Sequence, residues 1–386
     1  MRIRKQVNKN FELYIFGVLL IMPIIIQFLS VLINNLSSTL TMFLYGGVLI
    51  YTFIKNRYYR VTDMLGLLFI YLIFIANYYL FPDSRVHLVS KEMMIIYFFF
   101  LPLCIFIVKN IESWEGYERI LFPYSVIAIL IGTLIVFVFK ESELSYMEFS
   151  YGLLPFLNIL YTNYRTHKYS NKKVLILFIL GVIDIVAFGA RGPILFVAIY
   201  IVFFEVFRVD INRNRKIIII CMGSICLLLL TVFSDAILEY LGQLPMFKDS
   251  YFFWNLRSGD FFGSNSRAHI TEQSIKRIST MGIEFSGLFG DRLYCGGIYP
   301  HNFILEILMS LGWIMGSAVL ITLFITIIIA FVRKEQRILV LFLITSLFLR
   351  YLISGSYLIE GKFWIFIFAL ISLRKVARKR NKEVIL

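Results

Sequence analysis

Residues 302–332 read NFILEILMSLGWIMGSAVLITLFITIIIAFV. One acid, Glu306, interrupts a run with no other charge, and the run is longer than the roughly 20 residues a helix needs to cross a bilayer. Apolar residues occur on every side of such a helix, so it has no polar stripe to turn towards water. Similar runs lie near 11–33, 36–54, 64–81, 93–109, 119–139, 148–161, 174–190, 193–207, 217–234, 338–353 and 362–373. Lipid offers the backbone no hydrogen bonds, and Phe/Ile/Leu-rich runs of this length suit helices better than barrel strands. Twelve transmembrane helices are expected, the sixth and twelfth short.

The composition agrees. Of 386 residues, 59% are hydrophobic and 16% charged, against roughly 45–50% and about a quarter in soluble domains. The mean hydropathy is +0.81. A chain this long does not hide such an excess in one core, so soluble, nucleic-acid-binding and disordered classes are excluded.

Lys and Arg number 38 against 24 acids, a formal charge of +14. With the N-terminus inside, most of them fall on cytoplasmic segments: Arg2, Arg4, Lys5, Lys9 in the tail, then Lys55–Arg60, Lys109 and Arg119, Arg165–Lys173, Arg208–Lys216, Arg333–Arg337 and Arg374–Lys382. The short outer connections hold only Arg85, Lys91, Lys140, Arg191 and Lys362. That bias puts both termini in the cytoplasm. The terminal RKVARKRNK (374–382) reads as a topology anchor near anionic lipid, not a nucleic-acid patch.

The chain reads as a single integral-membrane domain over 1–386: helices 1–9 in 1–234, one large extracytoplasmic loop in 235–301, and helices 10–12 in 302–386. A loop of that length carries function or structure of its own. Within it, 264–281 is predicted helical, with Ser264, Asn265 or Ser266 as cap, Ile270, Ile275 and Ile278 on one side, and Gly282 as stop. No internal repeat is evident, which weakens a transporter reading. The four cysteines form no metal or disulfide pattern. The N-terminal run lacks an A-x-A-like cleavage site and reads as a retained span.

Four groups of residues carry chemistry. Arg191, in FGARGPILF, stands at an outer boundary otherwise almost free of basic residues; such an arginine snorkels, pairs or meets a ligand, and guanidinium suits phosphate. Arg267, in GSNSRAHI, opens the predicted loop helix, where free N–H groups and the positive dipole end favour anions. His301 and Asn302 sit where the chain re-enters the membrane, with Glu306 a turn further on; an imidazole can take a proton from an attacking hydroxyl. His87, His167 and His269 have no comparable setting. Asp184, seven residues before Arg191, shares its helix face and could hold it. Arg350, buried in LFLRYLISGS, is either a third phosphate contact or a partner of Glu360 or Glu306. Tyr294, Tyr299, Tyr351 and Tyr357 could stack on sugars, though interfacial belts explain them too. Glu205 and Asn158 read as satisfied helix polar groups.

His301-Asn302, nine residues, then Gly312 resembles the histidine signature of the bacterial O-antigen polymerase and O-antigen ligase superfamily. Gly312 and Gly316 are three residues apart where the ligase pattern has two. GLFGDRLY (287–294), an Arg ending a span before a short outer turn (Arg191), and an Arg opening a helix in the large outer loop (Arg267) are also similar to the family pattern. The likeness covers roughly 184–316. It implies a GT-C-like, all-α polytopic membrane glycosyltransferase of the bacterial plasma membrane that needs no metal or cofactor and inverts the anomeric centre. Its donor would be a glycan on undecaprenyl pyrophosphate, its acceptor another lipid-linked unit, and its partners membrane lipid, a chain-length regulator and the flippase. On that resemblance His301 is the catalytic residue and Arg191 and Arg267 bind the donor pyrophosphate, with Arg350, Asp184, Asn302 and Glu306 in support. The reading is a repeat-unit polymerase for O-antigen, capsule or exopolysaccharide in cell-envelope synthesis. The alternatives are an O-antigen ligase and, less favoured because intramembrane charges are few, a lipid-linked oligosaccharide flippase.

Overall fold

The structure, a computed structural model, describes residues 10–33, 38–55, 60–138, 146–166, 172–188, 191–208, 214, 217–218, 265–280 and 284–385. Among them every regular element is helical. Helices α1 (Phe11–Leu32), α2 (Ser38–Lys55) and α3 (Val61–Leu80) lead into the short α4 (Arg85–Leu88). The fourth run forms α5 (Lys91–Ile95) and α6 (Leu101–Phe106), joined by a π-helical turn at Ile96–Phe100. Then come α7 (Tyr117–Val138), α8 (Tyr146–Thr166), α9 (Lys172–Phe188) and α10 (Arg191–Phe207). The later part holds α11 (Asn265–Thr280), α12 (Asp291–Tyr294), α13 (Phe303–Val332), α14 (Arg337–Leu343), α15 (Arg350–Ile353) and α16 (Gly361–Ile385).

Among the described residues five helices are long and apolar enough to cross a membrane: α1, α3, the continuous Lys91–Asn110, α7 and α13. They coincide with five of the twelve expected spans. Shorter apolar helices occupy Leu40–Lys55 and Gly192–Phe207. The expected span at 338–353 is interrupted by a π-helical turn, Ile344–Phe348. The expected ninth span at 217–234 and the first part of the large loop fall almost wholly outside the described residues, as does Gly282.

Burial is arranged as lipid requires. Large apolar side chains stand exposed along whole helices, among them Phe43, Phe69, Leu130, Ile314, Ile321 and Ile328. In water this would be an aggregating surface; in a bilayer it is the solvated one. The chain is a helical membrane protein. At its centre α8 is buried continuously from Phe149 to Leu160 and packs against α1, α7, α9 and α10. Asn158 donates to Thr345 (3.1 Å) and Ser346 (2.9 Å), both presented by the Ile344–Phe348 π turn, while its Oδ1 has no hydrogen-bond partner among the described residues. Glu205 likewise accepts from Arg165 and Tyr161.

Helix α3 marks two ends of the bundle. Near its start Asp63 accepts from Lys109 (2.7 Å) and Asn110 (2.8 Å), and Lys375 joins the same cluster. About 21 Å along the axis, Asn77 accepts from the Leu288 amide at 2.7 Å and donates to its carbonyl at 3.3 Å. This second end carries the site.

Helix α13 is not straight. Gly312 adopts φ 70°, ψ 176°, a conformation open essentially to glycine alone. A methyl on Gly316 would lie 3.2 Å from the Leu308 Cα and the Ile307 carbonyl oxygen. In a straight helix residues eight apart are separated by about 12 Å. The half-helix 303–311 therefore folds back on the longer arm, and the expected single span at 302–332 is two pieces. Glu306 belongs to the folded-back half.

Candidate functional site

His301 is the residue on which this end turns. Its φ is +55°, a left-handed conformation that costs a non-glycine residue roughly 1–2 kcal/mol. The reason lies on either side. The Tyr299 ring lies 4.3 Å from the His301 ring, tilted 55° to it, while Asn302 begins α13 with its side chain as cap. Asn302 Oδ1 accepts from the Ile304 and Leu305 amides (3.0 and 3.3 Å), and its Nδ2 donates to the Leu352 carbonyl at 3.3 Å. Asn302 is thus a positioning residue that ties the half-helix to α15.

Glu306, one turn on, is fully buried. It accepts from the Ser356 hydroxyl and from the Tyr357 amide at 3.4 Å. It does not pair with Arg350. That arginine instead forms an ion pair with Glu360 at 3.0 Å and lies 4.7 Å over the Tyr151 ring. Tyr351 donates to the same Glu360 carboxylate at 3.3 Å, and Lys362 donates to the Tyr151 carbonyl at 2.8 Å. Burial raises the Glu360 carboxyl, against the opposing pull of Arg350.

The same Tyr151 locates the start of α10. A methyl on Gly192 would collide with the Tyr151 hydroxyl and sit 3.0 Å from Ile353. Arg191, the first residue of α10, is therefore one residue from the Arg350–Tyr151 contact; its side chain lies outside the described residues. Asp184 is turned elsewhere. It is buried on α9 and accepts from Thr133 of α7 at 3.0 Å, so its described polar contact is to α7.

Arg267 falls in the first turn of α11, and its side chain too lies outside the described residues. The rest of α11 is firmly docked. Trp313 donates to the Ile278 carbonyl at 2.9 Å, and Ile278 packs with Cys295 and Met309. Arg277 pairs with Glu284 at 2.9 Å and lies 4.1 Å over Tyr294. These contacts attach the helix that begins near Arg267 to α12 and α13.

The structure adds three residues that the sequence did not single out. Arg292 of α12 stands 5.9 Å over the Tyr299 ring and donates to His87 Nδ1 at 3.3 Å. His87, which looked unremarkable in its loop, is thereby part of the site. Burial, then the Arg292 charge, hold its imidazole below the ordinary range, which keeps Nδ1 an acceptor. Asp291 is buried, accepts from Ser310 at 3.3 Å, and burial pushes its carboxyl up to about 6. The Tyr299 phenol is also raised, by burial and then by the Glu360 charge. No spacing signal marks Arg292 or His87, because they meet only when the 82–90 loop and the 284–301 segment share one end of the bundle.

Among the described residues no three His, Cys, Asp or Glu side chains gather as metal ligands would. Arginine and lysine do gather, beside two histidines and several tyrosines, and what such a set offers is anion binding with a titratable imidazole alongside. The chain matches no protein-family model, no curated protein and no solved structure.

Proposed function

We propose that this chain is a polysaccharide repeat-unit polymerase of the plasma membrane. In this reading it has twelve spans in a GT-C-like arrangement, both termini are cytoplasmic, and the His301 end faces outward. The observation that carries it is the meeting, at one end of an apolar bundle, of a left-handed His301 with Arg350 and the start of the α10 helix that Arg191 opens.

The chemistry follows from those groups. A growing glycan on undecaprenyl pyrophosphate is the donor, and a hydroxyl of a second lipid-linked unit attacks its anomeric carbon from the far side. The new C–O bond forms as the bond to pyrophosphate breaks. The hydroxyl proton passes to His301, and the pyrophosphate leaves with its charge held by Arg191 and Arg267. Asn302 and Tyr299 keep the imidazole aimed. The dense arginine field is matched to a leaving group that departs as an anion.

The test is a strain lacking the gene, complemented with Arg191→Ala, Arg267→Ala or His301→Ala at wild-type membrane abundance. Each variant is expected to abolish the long-chain ladder on a gel of surface polysaccharide while single units persist. Normal chain length in all three overturns the assignment, and lipid-linked polymer that is never attached identifies a ligase instead.

A further inference from the structure

Arg292 uses only part of its guanidinium. Nη1 donates to His87, and Cζ lies 4.6 Å over the Phe289 ring. Nε and Nη2 are buried and have no hydrogen-bond partner among the described residues. These two nitrogens share one edge of the guanidinium plane, the edge that grips a carboxylate through two parallel N–H···O bonds.

The neighbouring acids do not occupy that edge. Asp291 accepts from Ser310, Glu306 accepts from Ser356 and Tyr357, and neither is ion-paired with Arg292. The Tyr299 ring neighbours both groups: Arg292 Cζ lies 5.9 Å from its centroid and the His301 ring 4.3 Å. A sugar that presents a hydroxyl to His301 is thus one aromatic ring away from a two-pronged cation.

We propose that Arg292 recognises a carboxylate on the sugar that bears or adjoins the reacting hydroxyl, so that the repeat unit contains an acidic sugar of the hexuronate class. The inference rests on the polymerase reading above and adds the substrate class to it. Lysine cannot replace the fork, because an ammonium is a point charge without a planar pair of donors. A phosphate oxygen pair could take the same edge, and the substrate itself separates the two sources.

The experiment uses the lipid-linked unit that accumulates in the Arg191→Ala strain, purified and analysed by mass spectrometry before and after carbodiimide–borohydride reduction of carboxyl groups. One reducible carboxyl per unit is expected. The full-length wild-type protein in nanodiscs should polymerise the carboxyl-reduced unit at least tenfold more slowly than the native unit. Arg292→Gln and Arg292→Lys should be slow with both and lose the difference between them. A neutral repeat unit overturns the proposal, and so does equal use of native and reduced units by the wild type; neither result depends on whether an Arg292 variant folds. If His301→Ala and Arg191→Ala polymerise normally, the polymerase reading fails first; if they are dead and the wild type ignores carboxyl reduction, only the acidic-sugar inference fails.

Discussion

Asp291 shows how much of a residue's chemistry depends on what closes over it. In a solvated loop it would ionise near pH 3.8, but burial pushes it to about 6. The folded state therefore holds a proton that the unfolded state has released across that interval. The stability this supplies is complete below about pH 4 and is lost as pH rises through 6. Asp291→Asn keeps an acceptor for Ser310 and never ionises. It is expected to be more stable than the wild type at pH 8, by up to about 3 kcal/mol, and nearly equal to it at pH 4. Thermal melts in nanodiscs at both values check this. A variant less stable at pH 8 would mean that the ionised carboxylate is needed, with Arg292 as its partner. Nothing in GLFGDRLY marks Asp291 as buried, since a loop acid is ordinarily solvated. The His301-Asn302 pair stands out in the sequence only by its place at the membrane boundary and its likeness to a histidine signature; that Asn302 caps α13, accepting from the amides two and three residues on, is what the structure adds.

At the scale of elements, α11 and α13 behave oppositely. The former was predicted over 264–281 and is described from Asn265 to Thr280, because its cap and apolar side are written locally. The latter reads as one span and folds at Gly312, because hydropathy counts apolar residues and is blind to backbone direction. The π turns at Ile96–Phe100 and Ile344–Phe348 were illegible for the same reason. The two glycines of α13 carry different demands, and substitution separates them. Gly312→Ala forces a left-handed, extended ψ on a residue with a Cβ, at about 1–3 kcal/mol. Gly316→Ala leaves ordinary helical angles but presses a methyl into the Leu308 backbone. Both are expected to lose chain elongation, whereas Gly47→Ala, with no described residue within 4 Å of the added methyl, is expected to be neutral. Chain length and detergent-solubilised melting temperature report the outcome; full activity in Gly316→Ala would mean that the halves of α13 are not held together.

Over the whole molecule the basic residues divide into two populations, and α3 measures the distance between them. At its Asp63 end, Lys109 and Lys375 surround a buried carboxylate, and Arg165 pairs with Glu205 near the end of α8. At its Asn77 end, beside Leu288, lie Arg292, Arg350 and His301. Counting Lys and Arg along the chain predicts a cytoplasmic position for the first population, an expectation that labelling can test. The side of the membrane on which His301 stands is a measurable property. In a chain whose four cysteines are replaced by serine, a cysteine at Asp83, in the turn before α4, should react with a membrane-impermeant maleimide in intact spheroplasts. A cysteine at Glu115, before α7, should react only after permeabilisation. The reverse pattern would place His301 and Arg292 in the cytoplasm, where they would meet substrates before translocation, and outer-leaflet polymerisation would be excluded whatever the activity of the variants.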